Sequence, residues 1–307
     1  MTGVRTPQGR WQDAIHRHGH VEVVTAYDCM TARLVEQTGF DGVIVGAGAT
    51  ANFVHGLPDI GLVSLAEALE NVRRISSAVT IPVIADVDDG GPTPIHIRRT
   101  VEMAERVGAA GIMIEDVDSS RPKHLWHEDK QDWDFSDAVL YPIDVAVERL
   151  QIAMAARRDP EFVIMARTDA LHTDPERGYE IAIERARAYA SAGADILFII
   201  GLPRDRVTPQ LTATLGAPLL FAEVGAISAA DKQRVFDAGA SYFHGLLPIL
   251  AAFAGYKDTI ISLKEGVPPA FNPDAWTYNR ELLETLDLRG WTRALGRENN
   301  APDRSSS

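Results

Sequence analysis

Four stretches of the chain repeat one local pattern, in which a helix-like segment ends at a glycine and a short apolar run follows at once. They are Gln37–Val45, Arg106–Ile114, Ser191–Phe198 and Asp237–Phe243. A glycine after the last helical turn accepts the left-handed backbone that ends a helix. The apolar runs do not alternate with polar residues, which is typical of parallel strands buried on both faces. The pattern therefore predicts a chain of alternating helices and strands.

Eight strands are predicted when this pattern is extended along the chain, near residues 21–27, 41–47, 81–87, 110–115, 161–167, 195–200, 217–222 and 240–245. Amphipathic helices are predicted between and after them, at 30–37, 65–79, 95–107, 143–157, 175–192, 208–215, 229–238 and 250–265. Strands that alternate with helices form right-handed βαβ units around a parallel sheet. Eight units favour an α/β fold, a closed (β/α)8 TIM-type barrel, over an open sheet. Its chemistry lies on the loops after the strand C-termini.

Two segments, residues 117–141 and the residues after 266, do not follow the alternation of strands and helices. Residues 117–141 form a long polar connection after the fourth strand, and such loops are usually functional lids or disordered. We expect a barrel domain over residues 1–266, a C-terminal helical extension over 267–296 and a disordered tail over 297–307.

Charge and composition limit the partners that we expect. The net charge of −13 disfavours nucleic acid, because a polyanion would be repelled. Cys29 is the single cysteine, so neither an internal disulfide nor a cysteine zinc site is expected. The start lacks the apolar core of a signal peptide, and the uncharged run 238–256 contains His244, Gly245 and Pro248. We therefore expect a cytoplasmic protein without a membrane partner.

Acidic residues cluster at the predicted barrel mouth. Asp86 and Asp88, at the end of the third strand, face the same side, and Asp89 faces the other. Two adjacent carboxylates in a partly buried site need a cation or a proton between them, and an all-oxygen site suits Mg²⁺ or Mn²⁺. Glu115 ends the neighbouring fourth strand, and Asp59 after the second strand could reach the same mouth. The alternative is a solvated acidic turn.

Two further features could bind a small acid. Arg167 follows the apolar interior of the fifth strand and could clamp a substrate carboxylate, or it could pair structurally with Asp169 or Glu115. The backbone N–H groups of Gly46, Ala47 and Gly48 could cradle an oxyanion, although a tight turn explains these residues equally well.

Together these motifs resemble the isocitrate lyase/phosphoenolpyruvate mutase superfamily over roughly residues 20–265. The segments that carry the resemblance are Gly56–Asp59, Ala85–Gly90, Gly108–Asp116, Met165–Ala170 and Arg185–Asp195. The resemblance implies a Mg²⁺-dependent (or Mn²⁺-dependent) enzyme that acts on a small 2-oxo or 2-hydroxy acid through an enolate-like species. It also implies a homotetramer that exchanges C-terminal helices, and residues 270–292 could do this.

The resemblance also implies roles for individual residues. Asp59, Asp86, Asp88 and Glu115 would hold the metal directly or through water. Arg167 and the amides of Gly46, Ala47 and Gly48 would bind the substrate carboxylate and the C2 oxygen.

The chain departs from the superfamily where substrate choice and proton transfer are expected. The loop stretch Arg121–Leu125 lacks the lyase branch's cysteine, so Arg121, Lys123 and His124 become the candidates for catalysis, with His127 a further histidine on this loop, unless the loop is merely solvated. An expected acid or histidine aligns with Ile200, and an expected asparagine aligns with Ala222. Glu223 could bind substrate or pair with Arg167.

Three functions remain open from the sequence. The leading hypothesis is a Mg²⁺-dependent carbon–carbon lyase, by retro-aldol cleavage, or by decarboxylation or hydrolysis of an oxaloacetate-like acid. The second is phosphorus–carbon chemistry, of the phosphonomutase or phosphonopyruvate hydrolase type, which the missing loop cysteine supports. The third is a metabolite-binding barrel that has lost catalysis, which Ile200 favours.

Overall fold

Eight short parallel strands close into a barrel. The computed structural model describes residues 9–121, 123, 125–129, 132–134, 138–174, 176–270 and 275–294. The barrel strands are β1 (Glu22–Thr25), β2 (Gly42–Val45), β3 (Val83–Asp86), β4 (Gly111–Glu115), β7 (Val163–Thr168), β8 (Ile196–Ile199), β9 (Leu219–Ala222) and β10 (Ala240–His244). They pair in chain order, and β10 pairs with β1. The predicted (β/α)8 barrel is confirmed, with each strand where the sequence placed it.

A two-stranded antiparallel hairpin interrupts the alternation after β4. Its strands are β5 (Leu125–His127) and β6 (Asp132–Asp134), and both lie in the long loop that the sequence marked at 117–141. An isolated bridge between Val117 and Leu140 holds the base of this loop. The sequence did not predict the hairpin.

Helices precede and follow the barrel strands along the chain. They are α1 (Gly9–His18), α2 (Cys29–Thr38), α3 (Ala47–Ala49), α4 (Leu65–Ala78), α5 (Pro94–Arg106), α6 (Ile143–Ala156), α7 (Ala170–Thr173), α8 (Gly178–Ser191), α9 (Pro209–Leu215), α10 (Ala229–Asp237) and α11 (Leu247–Glu265). A short π-helix, Thr50–His55, continues from α3. The sequence missed α1, α3 with its π-helix, and α7. Local signals fix other boundaries: Asp28 and Ser64 each form a capping box, and Gly39 ends α2 with φ of 90°.

The apolar side chains form two clusters because strand residues alternate between the two faces of the sheet. The interior cluster fills the barrel and includes Ile44, Ile84, Met113, Met165 and Phe198. The outer layer packs the other strand faces against the helices. Trp11 of α1 is fully buried in the interior cluster, against Gly42 at the start of β2. This helix thus covers the N-terminal end of the barrel, opposite the end where chemistry is expected.

The C-terminal part of the chain forms a second unit. The contacts divide the chain into units 1–251 and 252–307, a division that falls inside α11. Beyond α11 lie α12 (Ala275–Thr285) and α13 (Leu288–Ala294), in the region where a helical extension was predicted. The predicted tail at 297–307 lies outside the described residues. None of the described helices has the length and apolarity to cross a membrane.

Gly111 provides a test of the barrel packing. A Cβ at this position would overlap the carbonyl oxygen of Val163 and lie 2.9 Å from Cδ1 of Ile84. Both neighbours are held in adjacent strands, so Gly111→Ala should lower the free energy of unfolding by about 2–4 kcal/mol. Urea unfolding followed by circular dichroism measures this change.

A matched substitution is Gly255→Ala in α11, where a Cβ meets nothing within 4 Å. We expect this variant to unfold at the wild-type urea concentration or slightly above it, because alanine favours helix over glycine. Equal unfolding midpoints for Gly111→Ala and the wild type would show that the barrel strands can separate there.

Candidate active site

Three neighbouring strands end in charged side chains inside the barrel mouth. Asp86 ends β3, Glu115 ends β4, and Arg167 lies in β7 directly beside Glu115 in the register. Each stands two residues after a member of the interior cluster, so it faces the same way, into the barrel. Asp86 and Glu115 are only 7% and 2% exposed. The end of the barrel interior on this side is therefore a layer of buried charge.

The ammonium group of Lys123 lies among three of the predicted metal-binding carboxylates. Its Nζ is 2.7 Å from Oδ1 of Asp88, 3.1 Å from Oε1 of Glu115 and 3.9 Å from Oδ1 of Asp59. Lys123 is 8% exposed, although it comes from the long loop after β4. The loop thus reaches into the barrel mouth through this one side chain.

Asp86 has a different set of partners. Its carboxylate accepts hydrogen bonds from the backbone N–H groups of Asp88, at 3.2 Å, and Ala47, at 3.3 Å. Nη1 of Arg167 lies 3.9 Å from Oδ2 of Asp86. The backbone of Asp88 is left-handed, with φ of 50°, and its carbonyl accepts from the N–H of Glu115 at 2.9 Å. This backbone bond ties the ends of β3 and β4 together.

Burial raises the pKa values in this cluster, which holds more carboxylates than cations. Burial, with the nearby Asp88 carboxylate, raises the pKa of Asp86 to about 6. Burial raises the pKa of Glu115 to about 8, although Lys123 and Arg167 both act to lower it. Burial opposes the charged form of Lys123, but Glu115 and Asp88 hold its pKa well above the usual value. Two cations are thus shared among Asp59, Asp86, Asp88, Glu115 and Asp169, and a further cation would stabilise the cluster.

The donor chemistry of this cluster fits a divalent cation. Across the described part of the chain, no three His, Cys, Asp or Glu side chains stand ready-made around a metal position, since Lys123 lies between Asp88 and Glu115. Oε2 of Glu115 is nevertheless buried without an aligned hydrogen bond from the described residues, and it forms an ion pair with Nη1 of Arg167 at 3.2 Å. All the candidate ligands are carboxylate oxygens, which Mg²⁺ and Mn²⁺ prefer.

Arg167 is oriented by Asp169. Its Nε and Nη2 each donate to a different oxygen of Asp169, both at 2.7 Å, in a bidentate pair. Nη1 remains on the mouth side, 3.2 Å from Oε2 of Glu115. The sequence left open whether Arg167 pairs with Asp169 or with Glu115, and the structure shows both contacts. The guanidinium is therefore fixed in place, with one N–H edge facing the carboxylate cluster.

A buried polar network supports Asp169 from behind. The N–H of Asp169 donates to Oδ1 of Asp116 at 3.1 Å. Oδ2 of Asp116 accepts from the Tyr189 hydroxyl at 2.7 Å and from Arg185 at 3.1 Å. Sequence reasoning did not assign these supporting residues, although an arginine and a tyrosine four residues apart on a helix face that is otherwise apolar were an available signal.

A second network holds the turn after β3. Asp89, which the sequence placed on the opposite face from Asp88, is buried and accepts from the Tyr141 hydroxyl and from the N–H of Gly91, both at 2.8 Å. Nη2 of Arg149 donates to the backbone carbonyl of Asp89 at 2.6 Å. Arg149 and Tyr141 therefore fix the turn that presents Asp88.

The segment Gly46–Gly48, which follows β2, contacts two carboxylates of the acidic cluster. Gly46 precedes α3, and the N–H of Ala47 donates to Asp86. A Cβ on Gly48 would lie 2.6 Å from Oδ2 of Asp59, so glycine here makes room for that carboxylate. An amide cradle for substrate, the role expected for Gly46, Ala47 and Gly48, remains a prediction.

The remaining candidates lie elsewhere. Arg121 is exposed on the loop, and His124 lies outside the described residues. Glu223 follows β9 and lies 3.3 Å from Nη1 of Arg204, which also contacts Asp231. The structure thus places Glu223 beside Arg204 and shows no contact with Arg167.

Comparison with known proteins identifies the family. The family model described as phosphoenolpyruvate phosphomutase matches residues 12–259. The chain belongs to this family. A 2-methylisocitrate lyase of Shewanella oneidensis is 33% identical over 282 residues, which cover 91% of this chain and 89% of the relative. An oxaloacetate decarboxylase of Rhodopseudomonas palustris is 32% identical over 253 residues, which cover 81% of this chain and 82% of the relative.

Solved structures of the same superfamily share the fold. A 2,3-dimethylmalate lyase, described as a PEP mutase/isocitrate lyase superfamily member, matches with a TM-score of 0.77 at 27% identity, covering 96% of this chain and 100% of that chain. A phosphonopyruvate hydrolase in complex with oxalate and Mg²⁺ matches with a TM-score of 0.71 at 25% identity, covering 97% and 99%. These findings confirm the superfamily resemblance and support the expected class, a carbon–carbon lyase.

The position of Lys123 can be tested through the loop that carries it. Lys123→Met removes the cation between Asp88 and Glu115, and the loop then loses its ion pairs with both carboxylates, so it should leave the mouth more often. We expect chymotrypsin to cleave at Leu125 or Trp126 about tenfold faster or more. Cleavage followed by mass spectrometry measures the rate.

Arg121→Met is the matched control, because its side chain is exposed on the same loop. Its cleavage rate should stay at the wild-type value. Equal rates for Lys123→Met and Arg121→Met would show that the Lys123 contacts do not hold the loop.

Proposed function

We propose that this member of the phosphoenolpyruvate phosphomutase family is a Mg²⁺-dependent lyase that acts on a carbon–carbon bond of a small 2-oxo or 2-hydroxy acid. The observation that carries the proposal is the gathering of Asp59, Asp88 and Glu115 around one cationic group, with Asp86 and Nη1 of Arg167 beside them. The names of the two relatives at 33% and 32% identity support the choice of bond.

The four carboxylates of Asp59, Asp86, Asp88 and Glu115 would hold Mg²⁺ or Mn²⁺, directly or through water. When bound, the cation supplies electrophilic stabilisation of the negative charge that develops on the substrate. Arg167 binds the substrate carboxylate through Nη1, because Nε and Nη2 are already occupied by Asp169. Its orientation is set before substrate arrives, so no reorganisation is needed as charge develops.

Lys123 is the described loop residue that reaches the charge layer, and we assign proton transfer to it. In a retro-aldol cleavage the C2 hydroxyl loses its proton, the C2–C3 bond breaks, and the electron pair remains on the leaving carbon, which then takes up a proton. The carboxylates of Glu115 and Asp88 hold the pKa of Lys123 well above its usual value, so its ammonium group stays protonated near neutral pH and carries the proton, which it can release once these contacts loosen.

The sequence of the loop after β4 favours one type of carbon–carbon cleavage over another. It has no cysteine at Arg121–Leu125, the stretch that aligns with the lyase branch's proton donor. Decarboxylation of an oxaloacetate-like acid needs no such donor in bond cleavage itself, and an oxaloacetate decarboxylase is among the relatives. Phosphorus–carbon chemistry is the second candidate, supported by the matching phosphomutase family model and by the likeness to a phosphonopyruvate hydrolase.

We also propose a homotetramer in which helices of the C-terminal unit pack on neighbouring subunits. Helix α11 exposes Phe253 by 55%, Tyr256 by 71% and Leu263 by 64%. A soluble chain rarely leaves so many apolar side chains in water on one helix, and a subunit contact would bury them.

The function is tested by incubating the protein with Mg²⁺ and a panel of 2-oxo and 2-hydroxy acids, with mass spectrometry of the products. We expect cleavage of at least one of these acids, lost on addition of EDTA and in Asp86→Asn. Phosphorus NMR of phosphonopyruvate in the same conditions reads out the second candidate. A folded protein that turns over nothing in either assay would contradict both.

The metal site is tested separately by Gly48→Ala. The backbone of Gly48 suits alanine, but the added methyl group would displace the carboxylate of Asp59. We expect the Kd for Mn²⁺, measured by calorimetry, to rise about tenfold.

Gly245→Ala is the matched control, because an added Cβ there meets only the Phe243 ring, at 3.6 Å. Its Mn²⁺ affinity should equal that of the wild type. An unchanged Kd in Gly48→Ala would remove Asp59 from the metal site.

A further inference from the structure

The barrel mouth has two chemically different halves. On one half, β3, β4 and β7 present Asp86, Glu115 and Arg167. On the other half, β9 ends at Ala222 and Ile200 follows β8, and both residues pack against the interior cluster. The two halves meet where the Arg167 guanidinium lies 5.9 Å from the centre of the Phe198 ring.

Strand alternation places Ile200 and Ala222 on the inside. Phe198 and Leu220, two residues before them, belong to the interior cluster. Their immediate neighbours Ile199 and Phe221 belong to the outer layer. The side chains of Ile200 and Ala222 therefore face the barrel interior, as Asp86, Glu115 and Arg167 do, and lie on the remaining part of the same rim.

No unpaired cation is available on this half in the described chain. The loops after β8, β9 and β10, at 200–208, 223–228 and 245–246, contain only Arg204 and Arg206 as basic residues. Arg204 lies 3.3 Å from both Glu223 and Asp231. The Arg206 guanidinium lies over the ring of Tyr179, 5.0 Å from its centre. A carboxylate placed against Ile200 would lose water and find no free basic side chain from these three loops, although the imidazole of His172 from α7 lies beside Gly201.

We propose that Ile200 and Ala222 form a specificity subsite that receives an alkyl substituent of the substrate, and that this subsite rejects a carboxylate in the same place. The inference rests on the proposed function, because the charged half must bind the carboxylate and C2 oxygen of the same molecule. The substrate is then a 2-oxo or 2-hydroxy acid with an alkyl branch directed toward β8 and β9, and the carboxyl or carbonyl group that stabilises the carbanion of bond cleavage lies elsewhere in the mouth.

Two pairs of ligands test the subsite by calorimetry with the full-length, Mg²⁺-saturated protein. The two ligands of each pair carry the same malate skeleton and differ in one branch only, an ethyl group or a carboxymethyl group: 2-ethylmalate against citrate, and 3-ethylmalate against isocitrate. We expect the alkyl ligand of each pair to bind at least about tenfold more tightly, since each buried methyl or methylene group contributes about fourfold.

Three variants locate the preference. Ile200→Lys supplies a cation and should reverse the order within each pair. Ile200→Thr, a milder change, should reduce the ratio of the two affinities about fourfold. Ile199→Thr makes a similar change on the opposite face of β8 and should leave the ratio unchanged, even if it lowers stability. Ile200→Thr keeps the test decisive should Ile200→Lys fail to fold.

The outcomes separate this inference from the proposed function. If no ligand of either pair binds in the presence of Mg²⁺, the proposed function fails. If the ligands with the carboxymethyl branch bind as tightly as those with the ethyl branch or more tightly, or if Ile199→Thr changes the ratio as much as Ile200→Thr, the subsite is refuted and the proposed function stands.

Discussion

The site is governed by the free-energy cost of burying several carboxylates at the barrel mouth. Asp86 and Glu115 are almost fully buried, and burial raises both their pKa values. Such groups remain ionised only with cations beside them. Lys123 and Arg167 supply two positive charges, which leaves the cluster with an excess of negative charge. This excess makes the cluster costly for the folded chain, and we propose that a divalent cation offsets it.

Two buried hydrogen-bond networks next to the mouth hold the charged side chains in place. Asp116, Arg185 and Tyr189 hold Asp169, which in turn orients Arg167. Asp89, Tyr141 and Arg149 hold the turn that presents Asp88. Tyr141 joins the two networks, since its backbone carbonyl accepts from Arg185. Charged groups fixed in this way need little movement when charge develops on a substrate.

Lys123 connects the loop after β4 to the buried carboxylates at the barrel mouth. The loop after β4 carries exposed residues such as Trp126, yet Lys123 is buried among Asp59, Asp88 and Glu115. The polar half of the mouth therefore depends on the position of the loop, whereas the apolar half at Ile200 and Ala222 belongs to the barrel wall. We thus propose that the charged half binds the carboxylate and C2 oxygen of the substrate, whereas Ile200 and Ala222 select its substituent.

The sequence alone determined the barrel, because glycine at helix ends and unbroken apolar runs are local signals that each βαβ unit repeats. It also determined which strand ends carry charge, since period-two alternation sends Asp86, Glu115 and Arg167 inward. Tertiary structure decided the partners: that Arg167 contacts both Asp169 and Glu115, that Lys123 reaches the acidic cluster, and that Glu223 lies beside Arg204. Apart from Arg167 and Asp169, which are two residues apart, these pairings join different strand ends and loops, and the closed barrel sets the distances between them. Helix α1 was missed for the same reason, because its Trp11 packs against Gly42, which is far from it in sequence, and the hairpin strands at 125–127 and 132–134 were missed as well.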